Sequence, residues 1–281
     1  MAPVLATSAL RVLGPADSPA VHALLARDPL AHVFVSSRLA QPASAAWRAG
    51  QVWGYVTGGH LESLAFAGAN LVLAETTPAA RAAFADRAAR QGRRCSSVVG
   101  RAAEVLDFWD RLEARWGPAR EVRAHQPLMA IATQPAVLPD PAVQLVRPAQ
   151  TAALVPASVA MFTEEVGVAP DNGSGGYTAR VAEIVAAGRA LARFDAAGQV
   201  MFKAEVGAVS GGVAQLQGVW VAPRWRGQGL AAPGMAAVVA FCQAHLAPVV
   251  SLYVNDYNAP ARAAYRRVGF VEHGSLATVL F

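Results

Sequence analysis

Apolar positions along the chain change period several times, and each change marks an element. Helical spacing runs through residues 21–25, 78–91, 101–116, 151–166, 177–187, 230–245 and 260–268, the i, i+3, i+4, i+7 pattern of helices with one buried face. Gly92 closes the second of these, as a residue free to take left-handed backbone often does. Between the helices lie short apolar runs at 52–56, 61–66, 70–73, 95–99, 127–132, 143–147, 189–195, 199–210, 214–221, 249–254, 270–273 and 276–281. These read as strands, half or fully buried. The runs 61–66 and 70–73 look like a hairpin, Ala197-Gly198 turns the run 189–195 into 199–210, and a glycine-rich loop lies at 171–176. Strands alternating with helices predict mixed α/β layers. No repeat of solenoid length is visible.

Pro135, Pro139 and Pro141 fall close together. Proline neither continues a helix interior nor donates to a strand ladder, so the stretch reads as a linker. The expected division is 1–138 and 139–281. In the first part Val105, Phe108, Trp109, Leu112 and Trp116 line one side of a helix and read as core. No catalytic constellation stands out there, so this part reads as structural or as a decayed copy of the second.

Composition then narrows the classes of function. The 281 residues are 54% hydrophobic and 15% charged, which excludes disorder, since chains that cannot bury a core are poor in apolar residues and rich in charge. The most apolar long stretch, 235–250, is interrupted by Gln243, His245 and Pro248, short of the roughly 20 apolar residues that a membrane span needs. Residues 1–15 lack the basic-then-apolar layout of a secretory signal. Cys95 and Cys242 are too few and too far apart for a disulfide framework or a zinc knuckle. A soluble, cytoplasmic protein without a metal is expected, with no membrane partner. The formal net charge is +5, and Lys203 is the one lysine among 24 basic residues. Taken alone this balance fits nucleic acid, an acidic membrane or a phosphate-bearing small molecule, but the arginines form no stripe interleaved with aromatics, so nucleic acid is not the expected partner.

Candidate chemistry concentrates after the run 214–221. There Pro223-Arg224-Trp225-Arg226-Gly227-Gln228-Gly229-Leu230-Ala231 leads into an apolar helix. Glycines let the backbone turn and present bare N–H groups, and the start of a helix carries partial positive charge. With Arg224 and Arg226 beside them, these groups suit an anion, and the segment reads equally as a glycine-rich strand-to-helix turn with two solvated arginines. Pro233 is tolerated in a first turn, which puts the helix start near Leu230. Residues 227–232 also fit the G-x-G-x-x-A dinucleotide pattern, but that fold needs its glycines directly after the strand, and residues 222–226 intervene.

The segment Arg226-Gly227-Gln228-Gly229-Leu230-Ala231 resembles the Arg/Gln-x-x-Gly-x-Gly/Ala signature of the GNAT (GCN5-related) N-acetyltransferases. Residues 252–270 are similar to the family's second signature: a strand with Asn255 at its end, an alanine-rich helix after Asn258-Ala259-Pro260, Tyr265, and a closing Gly269-Phe270. The resemblance covers 143–281, and the poorly conforming first part resembles the degenerate GNAT-like half of two-domain actinobacterial members. It implies a mixed, mostly antiparallel sheet flanked by helices, preceded by a smaller α/β domain. It implies acetyl-CoA as donor and a small-molecule or peptide amine as acceptor, attacking directly in a ternary complex, and it leaves room for a homodimer. Backbone N–H groups of Arg226, Gly227, Gln228, Gly229, Leu230 and Ala231 would hold the pyrophosphate. Val219 and Val221 would lie on a strand edge that splays from 252–254, where pantetheine pairs and one N–H polarises the thioester carbonyl. Asn258 would touch the cofactor, and Tyr265 would protonate the leaving thiolate.

The residues themselves leave other readings open. Asn258 reads equally as a helix N-cap, and Tyr265 as a core residue with its hydroxyl satisfied. Many family members carry a glutamate on the strand before the loop, whereas residues 214–221 hold no carboxylate. Glu205, Glu164 and Glu165 are the candidates for the base, and Glu205 is the one assigned to catalysis. Lys203 and Glu205 share a strand face at period two and read equally as a solvated ion pair; Glu164 and Glu165 read equally as a surface helix end. The missing carboxylate also admits a second function, an acyl-CoA-binding sensor without turnover.

Overall fold

The computed structural model describes residues 8–40, 45–48, 51–170 and 175–281. Positions 171–174 of the glycine-rich loop and 1–7 of the leading stretch lie outside them. Internal contacts divide the chain into two compact units. One takes Met1–Leu128, Tyr253–Tyr257 and Glu272–Phe281; the other takes Met129–Leu252 and Asn258–Val271. The units therefore differ from a single cut at residue 138, because two later segments belong to the first of them.

The N-terminal unit runs β1 (Ser8–Val12), α1 (Ser18–Leu25), α2 (Pro29–Leu39), one-turn α3 (Ala45–Arg48), β2 (Val52–Thr57), β3 (His60–Ala67), β4 (Asn70–Ala74), α4 (Pro78–Gln91), β5 (Ser97–Arg101), α5 (Ala102–Trp116) and β6 (Glu121–Ile131). The C-terminal unit runs β7 (Gln144–Leu145), α6 (Thr151–Val166), α7 (Gly176–Ala186), β8 (Ala190–Phe194), β9 (Val200–Ser210), β10 (Val213–Val221), α8 (Ala231–His245), β11 (Val249–Tyr253) and α9 (Ala259–Val268). The chain then enters β12 (Val271–Leu280), which lies in the N-terminal unit between β5 and β6. The stretches 270–273 and 276–281, expected as two strands, are replaced by this one strand over Val271–Leu280, and Leu276 to Leu280 pair antiparallel with Arg101 to Ser97.

Successive strand residues face opposite sides of a sheet, and the N-terminal unit uses both sides. Trp53, Ala65, Leu71 and Leu73 pack with Phe84 of α4, Phe108, Trp109 and Leu112 of α5, and Ala277 and Val279 of β12. Their neighbours Val52, Leu64, Phe66 and Val72 pack instead with Leu13, Leu24 and Leu25 around α1, Val35 and Leu39 of α2, and Trp47. Burying each large side chain contributes on the order of 1.5–3 kcal/mol.

In the C-terminal unit the strand order is β11-β10-β9-β8-β7. Three antiparallel pairings, β7–β8, β8–β9 and β9–β10, are followed by the parallel pair β10–β11. The N-terminal unit has the same succession, antiparallel from β1 to β4 and then parallel at β4–β5. In chain order, β1 to β6 and β7 to β12 each follow the succession strand, helices, three strands, helix, strand, helix, strand, as a duplicated unit would, although β12 itself lies in the N-terminal unit. Leu154 and Ala157 of α6 and Val181, Ile184 and Val185 of α7 cover Ala190, Ala192 and Val200. On α8, a Cβ at Gly234 would stand 3.0 Å from the Phe202 ring, so a larger residue there would push the ring back by a few tenths of an ångström. Among the described residues no helix is long and apolar enough to cross a membrane, and no cluster of His, Cys, Asp and Glu could hold a metal ion.

Candidate functional site

The strand that leads to the glycine loop is irregular in two ways. β10 pairs with β11 only from Val213↔Val249 to Gln215↔Ser251. Beyond that point it keeps β9 as partner, but the register jumps from Gln217↔Glu205 to Trp220↔Lys203. The jump is a bulge at Gly218 and Val219, with Gly218 at φ +59. Isolated glycine inside a strand run is the sign of such a bulge, and reading the run 214–221 as a plain strand misses it. Splaying at 219–221 was expected; the bulge was not.

After a short turn at Pro223–Trp225, Gly227 and Gly229 take left-handed backbone, φ +74 and +76. Nothing lies within 4 Å of where a Cβ would stand at either, so the backbone of the exposed loop faces open space. Leu230 precedes α8 and supplies no side-chain cap. The first N–H groups of a helix have no partner within it, and those of Ala231 and Ala232 follow directly on the loop. The arginines are held by carboxylates. Arg226 donates from Nη2 to Glu164 Oε2 at 2.6 Å and from Nε to the Val221 carbonyl at 3.0 Å. Arg224 donates to Asp195 Oδ2 at 2.5 Å, and Gln228 Nε2 donates to the Arg224 carbonyl at 3.1 Å. Glu164, one candidate for the base, is thus tied to the loop.

The Lys203–Glu205 pair is buried rather than solvated. Lys203 has no exposed surface and Glu205 is 4% exposed. Lys203 Nζ donates to Glu205 Oε1 at 2.6 Å and to the Gly218 carbonyl at 3.1 Å. Gln217 Nε2 donates to the other carboxylate oxygen at 3.3 Å, and Ser158 Oγ reaches Oε1 at 3.5 Å. Tyr177 stands behind this group, its hydroxyl donating to the Ser158 carbonyl at 3.1 Å. Burial, and then the Glu205 charge, push its phenol up to about 12.

On α9, Asn258 Oδ1 accepts from the Ala261 N–H at 3.2 Å, so the capping role is observed. Tyr265 lies seven residues on, about two turns along the same face, and is 6% exposed. Its ring packs on Phe270 at 5.9 Å. Burial first, and then the Glu165 carboxylate, raise its phenol above the ordinary value of 10. Val219, Val221, loop 226–231, Glu205, Asn258 and Tyr265 all fall in the C-terminal unit.

The corresponding strand-to-helix turn of the N-terminal unit, from β4 to α4, is closed. Glu75 there has φ +55, the one positive φ outside glycine among the described residues. Its carboxylate meets Arg101 Nη1 at 2.8 Å and His32 Nε2 at 3.0 Å. Glu104 Oε2 accepts from the N–H and hydroxyl of Thr76 at 3.1 and 2.7 Å, and Thr77 Oγ1 caps Ala80 N–H at 3.3 Å. A cavity of about 360 Å³ also lies in this unit, away from that turn, lined by Trp53, Leu71, Ala88, Arg94, Cys95 and Trp116 among others.

Comparison with known proteins agrees with the fold. Residues 161–270 match the acetyltransferase (GNAT) family, and residues 50–154 match a family described as "Domain of unknown function (DUF4081)". Among solved structures, a GCN5-related N-acetyltransferase from Sphaerobacter thermophilus is similar at TM-score 0.60 and 16% identity, over 97% of this chain and 95% of that one. A GNAT-family acetyltransferase from Colwellia psychrerythraea gives 0.54 and 13%, over 97% and 99%. A tandem GNAT protein from the clavulanic acid biosynthesis pathway gives 0.53 and 13%, over 98% of each chain. At such identities the likeness shows the fold, and the family match adds acyl transfer as the general chemistry. The chain therefore carries, over residues 161–270, a domain of the GNAT acetyltransferase family behind an N-terminal DUF4081 segment.

Proposed function

We propose that the C-terminal unit transfers an acetyl group from acetyl-CoA to an amine by direct attack. The observation that carries this reading is the strand edge of β10, which leaves β11 after Gln215, bulges at Gly218 and runs into an open, positive-φ glycine loop at the start of α8. An extended pantetheine chain fits a strand edge without a ladder partner, and a pyrophosphate fits the N–H groups of residues 227–231; that of Arg226, expected to join them, already donates to the Pro223 carbonyl at 3.2 Å. When bound, acetyl-CoA supplies an activated thioester. The N–H of Val219 or Val221 polarises its carbonyl, as an oxyanion hole does. Glu205, at the bulge, accepts the proton of the attacking amine. Tyr265 keeps its proton because it is buried, and gives it to the leaving sulfur. Asn258 stabilises the start of α9 and with it the placing of Tyr265.

Replacing Gly229 by valine is expected to weaken acetyl-CoA binding about tenfold, because left-handed backbone costs a branched residue roughly 1–2 kcal/mol. Calorimetric titration of both proteins checks it; unchanged affinity would remove the loop from the binding site.

The decisive experiment follows CoA release from acetyl-CoA across a broad amine panel. Turnover above background with at least one amine is expected, together with one acetyl-CoA bound per chain. The single site follows because the amides at the β4–α4 turn are already taken by Glu104 and Thr77. Tight binding with background release throughout would favour the sensor reading, which the commitment of Glu205 to Lys203 supports. Two equivalents bound would show that the N-terminal turn opens.

A further inference from the structure

We propose that Lys203 is a positioning residue for acyl transfer: its ammonium grips the Gly218 carbonyl and so aims and polarises the N–H of Val219. The proposal rests on the acetyl-transfer reading above.

A bulge leaves ladder groups without their usual partners, and a backbone carbonyl so freed needs another donor. Here the donor is Lys203 Nζ, 3.1 Å from the Gly218 oxygen and 2.6 Å from Glu205. The Gly218 carbonyl and the Val219 N–H belong to one planar trans peptide, in which they point in opposite directions. Holding the carbonyl against the buried ammonium therefore turns the Val219 N–H away from it. A peptide whose oxygen accepts from a cation is also a stronger donor at nitrogen, since hydrogen bonds in a chain polarise one another.

The surroundings leave little freedom for this arrangement to relax. A Cβ at Gly218 would lie 3.1 Å from Lys203 Nζ, 3.2 Å from Met161 Cε and 3.3 Å from the Glu205 carboxyl carbon. Composition points the same way. Arginine fills every other basic position of the chain, yet the planar guanidinium is a poor substitute for a compact ammonium in so close a space. Glu205 then has two uses: it accepts the substrate's proton, and it holds the lysine side chain in place through the 2.6 Å contact.

Because Lys203 is the chain's one lysine, lysine labelled with ¹³C at Cε gives one side-chain NMR signal in the native protein. That signal is expected to stand apart from the signal of solvated lysine and to move on addition of acetyl-CoA. It should also move in the Glu205→Gln variant. A signal at the solvated position, or one indifferent to acetyl-CoA, overturns the proposal. In the second arm, Lys203→Met is expected to lower kcat about tenfold or more, part of the loss seen when an oxyanion donor is removed. KM for acetyl-CoA should stay within about twofold, since uniform binding is untouched. An unchanged kcat, or a loss confined to KM, overturns the proposal. If Lys203→Met does not fold, or if the native protein acetylates no amine of the panel, the NMR arm alone decides. The second of those results counts against the acetyl-transfer reading, not against the role of Lys203 in holding the peptide.

Discussion

Tyr265→Phe lowers kcat by about 10²- to 10⁴-fold, the range that a positioned general acid contributes, with little change in acetyl-CoA affinity. The substitution removes one oxygen and keeps the ring, so the contact with Phe270 at 5.9 Å survives and the helix stays packed. What is lost is a proton held at a buried site. Burial and the nearby Glu165 carboxylate raise the phenol above 10, so it remains protonated throughout the neutral range and into mildly alkaline solution. Turnover should therefore not fall through ionisation of Tyr265 below pH 10. Steady-state kinetics with a fixed amine, paired with calorimetry for acetyl-CoA, separate the two effects. Equal turnover by the variant removes Tyr265 from the chemistry and leaves it as core.

Glu205→Ala is expected to cost roughly 3–5 kcal/mol of stability, the usual penalty for stripping one partner from a buried ion pair. Lys203 has no exposed surface, and after the change its ammonium would keep one observed acceptor, the Gly218 carbonyl. Replacing both partners, Lys203→Met with Glu205→Leu, should recover much of that loss, because two apolar groups of similar volume leave no uncompensated charge. Urea unfolding of the single and double variants measures both figures. A single-variant cost below about 1 kcal/mol would mean that the pair behaves as a solvated one.

Features set by neighbouring residues were the legible ones. Helix α6 falls at 151–166 as its periodicity predicts, and the hairpin of β3 and β4 follows from its two apolar runs. The glycine loop was legible because Gly227 and Gly229 meet a local need for positive φ that few other residues satisfy. Helix α2 escaped the apolar pattern, since its face carries His32 and Ser36 among its valines, although Asp28 and Pro29 mark its start in the usual way. β6 was read short because its first residues are partly exposed and lack a continuous apolar run.

What was not legible depends on partners far along the chain. The spacing of Lys203 and Glu205 places them on one face, but their burial comes from Ser158 of α6 and the bulged strand β10. The assignment of residues 272–281 to the N-terminal unit likewise depends on pairing with β5, a partner with no local trace. Asn258 was legible as a cap and is one.

The placing of β12 bears on how the protein is made. β5 is laid down early in synthesis, yet the neighbour that covers its edge arrives only when residues 272–281 have been translated. Until then the nascent N-terminal unit carries a bare strand edge of five residues, Ser97–Arg101, of the kind that invites wrong pairing. Ala277 and Val279, which complete the cluster around Phe108 and Trp109, arrive with it. An N-terminal domain that folds first and alone, the usual order, would here do so without β12, and its core is completed only after the glycine loop and α9 have been made.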